Sequence, residues 1–451
     1  MSTSTNDTHS VEDKKSGHQL VTEIIDNGQV SFQQVLVVVL CLVFNMLDGF
    51  DITAMAIVAT SVGTELQLSA DKLGWIFSFA LAGMMVGAMG IAPLSDIIGR
   101  RKTIIMSLAL VGVSILFTAN ASSLTEFIVL RFISGLGAGS MLACQATLAS
   151  EYSPEKYRAL SVSAVMAGYP LGALMTSVVA GYVMPEYGWR GMFWLGGGAT
   201  LAMTTLAILF IPESLKYLFE QQPEGALNKV NKILVKLKRE TLSAMPRVTQ
   251  SSALKGGMVE NVKALLSKDH RTKTLILWSS FFLCFATLYV LMSWIPKLVE
   301  DAGYSSEIGH SAFYWFNLGG VAGIFLSGIL AIRYSLTNII CALLVGSAIG
   351  MAAFASVSVE LQLMMIIIFG IGILQQGGFT GLYAAAAKAY PTEIRATGIG
   401  WCAGLGRTGA VIGPASAGYL IVAGFDMSAI FYTFAVPMAI GGLISYALKI
   451  K

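Results

Sequence analysis

The sequence contains Ser150-Glu-Tyr-Ser-Pro-Glu-Lys-Tyr-Arg-Ala159 after one hydrophobic block and Ala387-Lys-Ala-Tyr-Pro-Thr-Glu-Ile-Arg-Ala396 after another. The proline, the arginine and the final alanine of the two stretches align at one constant offset, so that Arg158 matches Arg395. Such an internal match predicts that the chain is built from a duplicated unit, with each copy placing this stretch after an equivalent helix.

Long hydrophobic segments surround both stretches, six in each half of the chain. They run approximately over 33–58, 72–94, 103–120, 124–149, 159–184, 190–212, 273–298, 308–332, 337–357, 360–388, 396–423 and 426–449. The chain is 55% hydrophobic and 12% charged, whereas a soluble domain carries about 25% charged residues. A membrane helix needs roughly 20 mostly apolar residues. We therefore predict an all-α integral membrane protein with twelve transmembrane helices in two six-helix bundles.

This reading divides the chain into four parts. They are an N-terminal tail over 1–32, a first bundle over 33–212, a polar linker over 213–272 and a second bundle over 273–449. Duplicated six-helix units are typical of secondary transporters, whose substrate site lies between the repeats near the middle of the membrane.

Basic residues in the short loops set the predicted orientation, because they concentrate on the cytoplasmic side. On one side lie Arg100, Arg101, Lys102, Lys156, Arg158, Arg333, Lys388 and Arg395. The opposite loops hold little beyond Lys72, Arg190 and Lys297. We expect a bacterial-type inner membrane protein with both termini in the cytoplasm.

Other functional classes find little support. The five cysteines lie in hydrophobic blocks without CxxC spacing, and no His/Glu cluster of metal spacing occurs, so neither a metal nor a cofactor is predicted. A net charge of +3 without a basic tail argues against nucleic acid. An enzyme would need a nucleophile–base set, and none is recognisable in the sequence. A channel would need a filter-like ring and a transporter-like sensor would need an output domain, and the sequence suggests neither.

Two carboxylates stand out in the first hydrophobic segment, in the run Asn45-Met-Leu-Asp48-Gly-Phe-Asp51. Positions three apart form one stripe along a helix. A charge inside the bilayer costs about 2.5–3.5 kcal/mol on insertion scales, so Asp48 and Asp51 should face a cavity and have a task. Proton carriage is the predicted task, and a structural capping role is the alternative.

Two arginines lie inside predicted membrane helices, Arg131 in the fourth and Arg407 in the eleventh. Each must meet a carboxylate, a polar cavity or a substrate anion. Arg407 is the better candidate for a substrate carboxylate, through bidentate charge-assisted bonds. A structural pair with a neighbouring carboxylate is the alternative. Glycines at 135, 137 and 139 follow Arg131, and they favour close helix packing over phosphate binding because no strand precedes them.

The loop Gly90-Ile-Ala-Pro-Leu-Ser-Asp96-Ile-Ile-Gly99-Arg100-Arg101-Lys102 resembles the signature loop of the major facilitator superfamily. It departs from that pattern at Ala92, where the leading glycine is expected. Arg333 lies in the equivalent loop of the second half, which has lost the acidic residue.

Further motifs resemble the aromatic acid:H+ symporter family of that superfamily. They are the run Asp48-Gly49-Phe50-Asp51 with the preceding stretch 25–33, Pro212-Glu213-Ser214, and Tyr390-Pro391-Thr392-Glu393. The resemblance covers the chain from about residue 20, although a proline expected in 56–60 is missing. It implies uptake of an aromatic carboxylate such as benzoate, hydroxybenzoate or protocatechuate together with protons, with Asp48 and Asp51 coupling the protons. A muconate-like dicarboxylate and a polyol remain alternative substrates, and the expected state, by analogy, is a monomer.

Two sets of residues complete the prediction. The predicted substrate-binding residues are Arg407, Arg131, Asn45, Gln375, Gln376 and Tyr383. The predicted gating residues are Asp96, Gly99, Arg100, Arg101, Glu151, Arg158 and Arg395.

Overall fold

A computed structural model of the chain describes residues 17–26, 29–245, 258–356 and 360–448. The described residues form helices joined by short loops, and none of them lies in a β-strand. The helices are α1 Gly17–Asp26, α2 Phe32–Glu65, α3 Ala70–Val86, α4 Ser95–Ile98, α5 Arg100–Thr118, α6 Leu124–Tyr152, α7 Glu155–Phe210, α8 Leu215–Gln221, α9 Ala226–Lys236, α10 Met258–Leu265, α11 Arg271–Asp301, α12 Ser306–Leu330, α13 Leu336–Ser356, α14 Leu361–Ala389, α15 Thr392–Val422 and α16 Met427–Tyr446.

Each of the twelve predicted membrane segments corresponds to a helix in this set. Ten of the described helices are long and apolar enough to span a membrane. One of them, α7, contains two segments, because its backbone breaks at Gly188 (φ 61°, ψ −168°), a conformation that only glycine adopts without strain. The twelfth segment is α15, which carries Arg407 and is not among those ten helices.

The two halves repeat the same packing. In the first half α2 packs on α7, and α3 and α5 pack on α6. In the second half α11 packs on α15, and α12 and α13 pack on α14. Equivalent helices thus choose equivalent neighbours, which confirms the fold predicted from the internal match.

The halves meet along three helix pairs, α3 with α15, α2 with α11 and α7 with α12. We call the end of the bundles that holds the signature loop the Arg100 end, and the other the Trp75 end. At the latter, the Trp75 indole donates to the Tyr419 hydroxyl over 3.0 Å. Nearby, the rings of Phe77 and Trp294 meet edge to face with centroids 5.2 Å apart. These contacts close the Trp75 end between the halves.

Short helices cover the first half at the Arg100 end. Helix α1 packs on α8, and its buried Val21 and Ile25 join apolar side chains of α8 and α9 in one cluster. The Asp26 carboxylate accepts from the backbone N–H of Glu155 over 2.7 Å at the start of α7. The predicted linker therefore contains ordered helices, and its residues 246–257 lie outside the described part of the chain.

Glycines allow the closest helix contacts. A β-carbon on Gly135 of α6 would collide with the carbonyl oxygen of Ala80 in α3, and one on Gly139 with that of Met84. In the second half, Gly372 of α14 stands equally close to the carbonyl of Phe316 in α12. The prediction that the glycines after Arg131 serve packing is confirmed, and Gly135 and Gly372 occupy equivalent places in the repeat.

We expect Gly135→Ala to destabilise the folded protein although alanine favours helix. The new methyl group must push two backbones apart, and overpacking of this kind costs about 1–3 kcal/mol. Thermal unfolding of the detergent-solubilised variant measures the loss. Gly198→Ala is the matched control, because a β-carbon there meets nothing within 4 Å and should leave the unfolding temperature unchanged or slightly raised. Equal unfolding temperatures for both variants would show that α3 and α6 can separate without cost.

Candidate functional site

A buried ion pair joins α2 and α6. The Arg131 Nη2 donates to Asp51 Oδ1 over 2.8 Å, and Nη1 donates to the backbone carbonyl of Asp51 over 3.1 Å. Both side chains are almost fully buried, with 1% and 0% of their surface exposed. The Arg131 guanidinium also lies over the ring of Phe193, 5.1 Å from its centroid. Of the partners considered for Arg131, the structure provides a carboxylate.

Asp48 lies one turn before Asp51 on the same stripe of α2. It is 1% exposed, and neither of its carboxylate oxygens has a hydrogen-bond partner among the described residues. Its electrostatic neighbours include Asp51 and Tyr169. A buried carboxyl group without a donor is costly as an anion and much less so when it carries a proton. This environment suits a group that gains and loses a proton as its surroundings change.

Asn45 begins the stripe and has a local role. Its amide nitrogen donates to the backbone carbonyl of Val165 over 2.7 Å, which ties α2 to α7. Its carbonyl oxygen has no partner among the described residues. Asn45 therefore positions the helix that carries Asp48, one turn away.

Arg407 lies on α15 where the two halves meet. Its Nη1 donates to the backbone carbonyl of Met84 in α3 over 3.4 Å, so the side chain reaches from the second half to the first. Arg407 is half-buried and forms no salt bridge with a residue in the described ranges. Tyr383 and Tyr169 are among its electrostatic neighbours. A guanidinium without a carboxylate partner is free to take one from a ligand.

Aromatic rings surround this part of α15. We call them the aromatic cluster, which comprises Phe281, Phe285, Tyr289, Phe379 and Tyr383. Phe285 stacks on Tyr289 with centroids 5.9 Å apart and planes 7° from parallel. Tyr383 meets Phe281 edge to face at 5.0 Å. Phe281 and Phe285 also line the position of Gly406, next to Arg407 in the sequence. A cation and ring faces thus lie together.

The aromatic cluster extends to the acidic stripe through one residue of the first half. Tyr169 of α7 interacts electrostatically with Tyr289 of α11, with Arg407 and with Asp48. The buried carboxyl group of Asp48 and the guanidinium of Arg407 therefore both lie within electrostatic range of Tyr169. The sequence offered no signal for Tyr169, since nothing in its neighbourhood marks it.

The two glutamines of α14 point in different directions. A β-carbon on Gly378 would touch Leu344 of α13, and one on Gly350 of α13 would touch Ile371, so positions 371, 375 and 378 face α13. Gln375 lies on that face, fully buried, and its amide atoms have no partner among the described residues. Gln376 is half-buried and contacts Gly320 of α12. The structure brings Tyr383, but not Gln375, to Arg407.

The signature loop builds a charged cluster at the Arg100 end. Arg100 pairs with Asp96 at 3.1 Å and with Glu151 of α6 at 2.9 Å. Its guanidinium also donates to the Ser214 hydroxyl over 3.0 Å, and that hydroxyl donates to Glu151 over 2.6 Å. Arg100 is 6% exposed, so it is held almost entirely by these partners. The cluster joins three helices with the segment after α7.

Glu213 extends the same cluster. Its carboxylate accepts from the backbone N–H groups of Arg101 and Ser214, over 3.0 and 2.9 Å. It also lies against Gly99, which has a positive φ of 102° and no room for a side chain. Glu213 and Ser214 belong to the Pro-Glu-Ser motif, which the sequence marked as a family feature without a role.

Arg158 and Arg395 lie apart from this cluster. Arg395 is exposed and donates only to the backbone carbonyl of Tyr390 over 3.4 Å, while Arg158 has no hydrogen bond or ion pair with another described residue. Both were predicted as gating residues from the repeated stretches, and that role stays a prediction. In the described part of the chain no group of three or more His, Cys, Asp and Glu is placed to hold a metal ion.

Comparisons with known proteins agree with this architecture. The family model of the Major Facilitator Superfamily matches residues 39–315 and 277–450. A 4-hydroxybenzoate transporter of Acinetobacter baylyi is 28% identical over 418 residues, which cover 92% of this chain and 91% of that protein. A gallate transporter of Pseudomonas putida is also 28% identical and is covered over 92% of both chains. The crystal structure of a D-xylose–proton symporter superposes with a TM-score of 0.72 at 15% identity, over 92% of this chain and 97% of that one.

Proposed function

Since this chain belongs to the Major Facilitator Superfamily, we propose that it takes up an aromatic carboxylate together with protons by alternating access. Members of the superfamily are transporters, and this chain is a multi-pass membrane transporter rather than an enzyme. Its similarity over nearly the whole length to transporters named for 4-hydroxybenzoate and gallate supports the substrate class.

The observation that carries the proposal is the unpaired Arg407 beside the aromatic cluster. A guanidinium binds a carboxylate through two parallel charge-assisted hydrogen bonds. Tyr289 and Tyr383, the half-buried rings of the cluster, offer aromatic surface to a ring attached to that carboxylate. Arg407 also donates to the backbone carbonyl of Met84 in the other half. A substrate bound to Arg407 would therefore affect the contact between the two halves.

The pairing of Arg131 favours a substrate with one carboxylate over a substrate with two. A dicarboxylate held between the halves would need a second cation, but Arg131 is already paired with Asp51 in a fully buried position. A polyol would not use a guanidinium as its main ligand. The arrangement thus favours an aromatic monoanion over the muconate-like or polyol alternatives.

Asp48 is the proposed proton carrier. Its buried, unpartnered carboxyl group lies near Tyr169, which in turn is near Arg407. When a substrate anion neutralises Arg407, closing the site over a protonated Asp48 avoids burying a free charge. A monoanion that enters with one proton moves no net charge, so only the pH gradient and the substrate gradient act on it. A second proton, carried by Asp51, would add about 2.3 kcal/mol per 100 mV of membrane potential.

For inward transport, the orientation predicted from the basic loops decides which end must admit the substrate. The Arg100 end, with its basic loops, is the cytoplasmic side of a bacterial inner membrane, and both termini lie there. The charged cluster of Arg100, Asp96, Glu151 and Ser214 holds the first half together on this side. The opposite side, at Trp75, is the one that must open to admit substrate.

Uptake assays with the Asp48→Asn variant test this function. In cells expressing the chain, labelled 4-hydroxybenzoate should accumulate, and a protonophore should abolish the accumulation. The asparagine amide cannot carry a proton, so the variant should equilibrate substrate without concentrating it. For the native protein each unit of pH gradient allows about tenfold accumulation per proton. Exchange of substrate between preloaded vesicles and medium should persist in the variant.

The control is Asp269→Asn, which removes an exposed carboxylate outside the membrane helices and should leave accumulation unchanged. If Asp48→Asn still concentrates substrate, the proton is carried by another group. If the native chain moves no aromatic acid although it reaches the membrane, the substrate class is wrong.

A further inference from the structure

A small cavity lies between the two halves beside the Asp51–Arg131 pair. Its volume is about 10 Å³, and its only polar lining side chains are those of Arg131 and Ser293. The remaining lining is apolar and includes Met55, Phe77 and Leu81. Ser293 belongs to α11 of the second half, whereas Arg131 belongs to α6 of the first. The cavity thus bridges the junction that closes the Trp75 end.

The Arg131 side chain at this cavity has a hydrogen-bond donor that is unsatisfied within the described part of the chain. The Nε–H group of Arg131 has no hydrogen-bond partner among the described residues. Arg131 is 0% exposed, so bulk solvent does not reach this N–H. A buried donor left without a partner destabilises the folded protein, and more so when it is charged. The site therefore calls for a polar ligand of very small size.

One water molecule fits these limits. The centre of a water needs roughly 10–15 Å³ of space, and a buried water needs two or more polar partners. The Arg131 guanidinium provides a donor, and the Ser293 hydroxyl can both donate and accept. Ser293 is 7% exposed, and no hydrogen bond joins its hydroxyl to another residue of the described ranges. It is therefore available to the water.

We propose that this cavity is a site for a single water molecule and that Ser293 is a positioning residue, which ties the buried Arg131 of the first half to α11 of the second through that water. The tie exists only while the Trp75 end is closed, because opening moves α11 away from α6. This proposal rests on the proposed function in one respect, namely that transport requires the Trp75 end to open. Removing the Ser293 hydroxyl then shifts the protein towards the open Trp75 end.

The experiment measures how readily the Trp75 end opens in the absence of substrate and of a proton gradient. A cysteine placed at Ala415, which is buried between α3 and α15 near the Trp75 end, reacts with a water-soluble maleimide only when that end opens. The full chain with Ala415→Cys is placed in lipid nanodiscs, and its labelling rate is measured after subtraction of the rate for the chain without this change. Ser293→Val and Ser293→Thr then form a matched pair, since their side chains have the same shape and only threonine keeps the hydroxyl.

Ser293→Val is expected to raise the labelling rate on the order of fivefold, the equivalent of one hydrogen bond of about 1 kcal/mol. Ser293→Thr should label like the native side chain. Equal rates for valine and threonine would overturn the proposal, because they would mean that Ser293 only fills space. Failure of aromatic acid uptake would leave these labelling rates unaffected, so the two proposals are tested separately.

Discussion

Replacing Arg407 with alanine is expected to lower the uptake of aromatic carboxylates at least about 100-fold, since two hydrogen bonds to a charged group are worth about 1.5–3 kcal/mol each. Among the described residues this guanidinium has no salt-bridge partner, and its loss leaves a bound carboxylate beside aromatic rings with no counter-charge. Initial rates of uptake over a range of substrate concentrations measure the effect. Arg407→Lys should retain part of the affinity, because lysine keeps the charge but not the planar fork.

Two comparisons make this test specific. Arg271→Ala removes an exposed arginine from the start of α11 in the second half and should leave uptake unchanged. Benzamide, which has the ring but no charge, should compete equally weakly for the native protein and for Arg407→Ala. Strong uptake of benzoate or 4-hydroxybenzoate by Arg407→Ala would show that the carboxylate is held elsewhere, and the proposed site would then be wrong.

The fold was predictable because its signals extend over whole segments. Twelve apolar blocks and the constant offset between Arg158 and Arg395 already require two equivalent bundles. The glycines at 135 and 139 were read as packing residues, and α3 and α6 do meet at those positions. The linker was less predictable, since short amphipathic helices such as α9 carry a weaker signal than a membrane span.

The sequence predicted which residues belong to the site better than it predicted the contacts between them. The spacing of Asp48 and Asp51 placed both on one stripe, but spacing says nothing about which of them meets Arg131. The substrate-binding role predicted for Arg131 stays a prediction; the structure pairs Arg131 with Asp51, and Arg407 forms no salt bridge with another described residue. Gln375 and Gln376 adjoin in sequence, yet a helical step of about 100° sends them to different neighbours. Such choices depend on how helices distant in sequence are rotated against each other.

Some contacts between the two halves involve residues that no sequence motif singled out. Tyr169 and Ser293 are ordinary membrane-helix residues until the two halves are assembled, and only then does each face a group from the opposite half. Glu213 and Ser214 were visible as a motif, but their partners Gly99 and Arg100 lie more than a hundred positions earlier in the chain. The structure therefore adds the contacts between residues that lie far apart in the sequence.

The second large effect concerns the stability of the Asp51–Arg131 pair. Arg131→Met removes the partner of a carboxylate that is 0% exposed, and breaking a buried pair in this way costs about 3–5 kcal/mol. We expect the thermal unfolding temperature of the solubilised variant to fall sharply. The double variant Arg131→Met with Asp51→Asn should regain most of that loss, since no uncompensated charge remains buried and methionine can still pack against Phe193.

Transport and stability together separate two roles for this pair. If the pair only holds α2 against α6, the stable double variant should take up substrate at nearly the native rate. If Asp51 also carries protons or moves with the cycle, the double variant should fold and reach the membrane but fail to concentrate substrate. A single Arg131→Met variant as stable as the native protein would contradict the ionic pair itself.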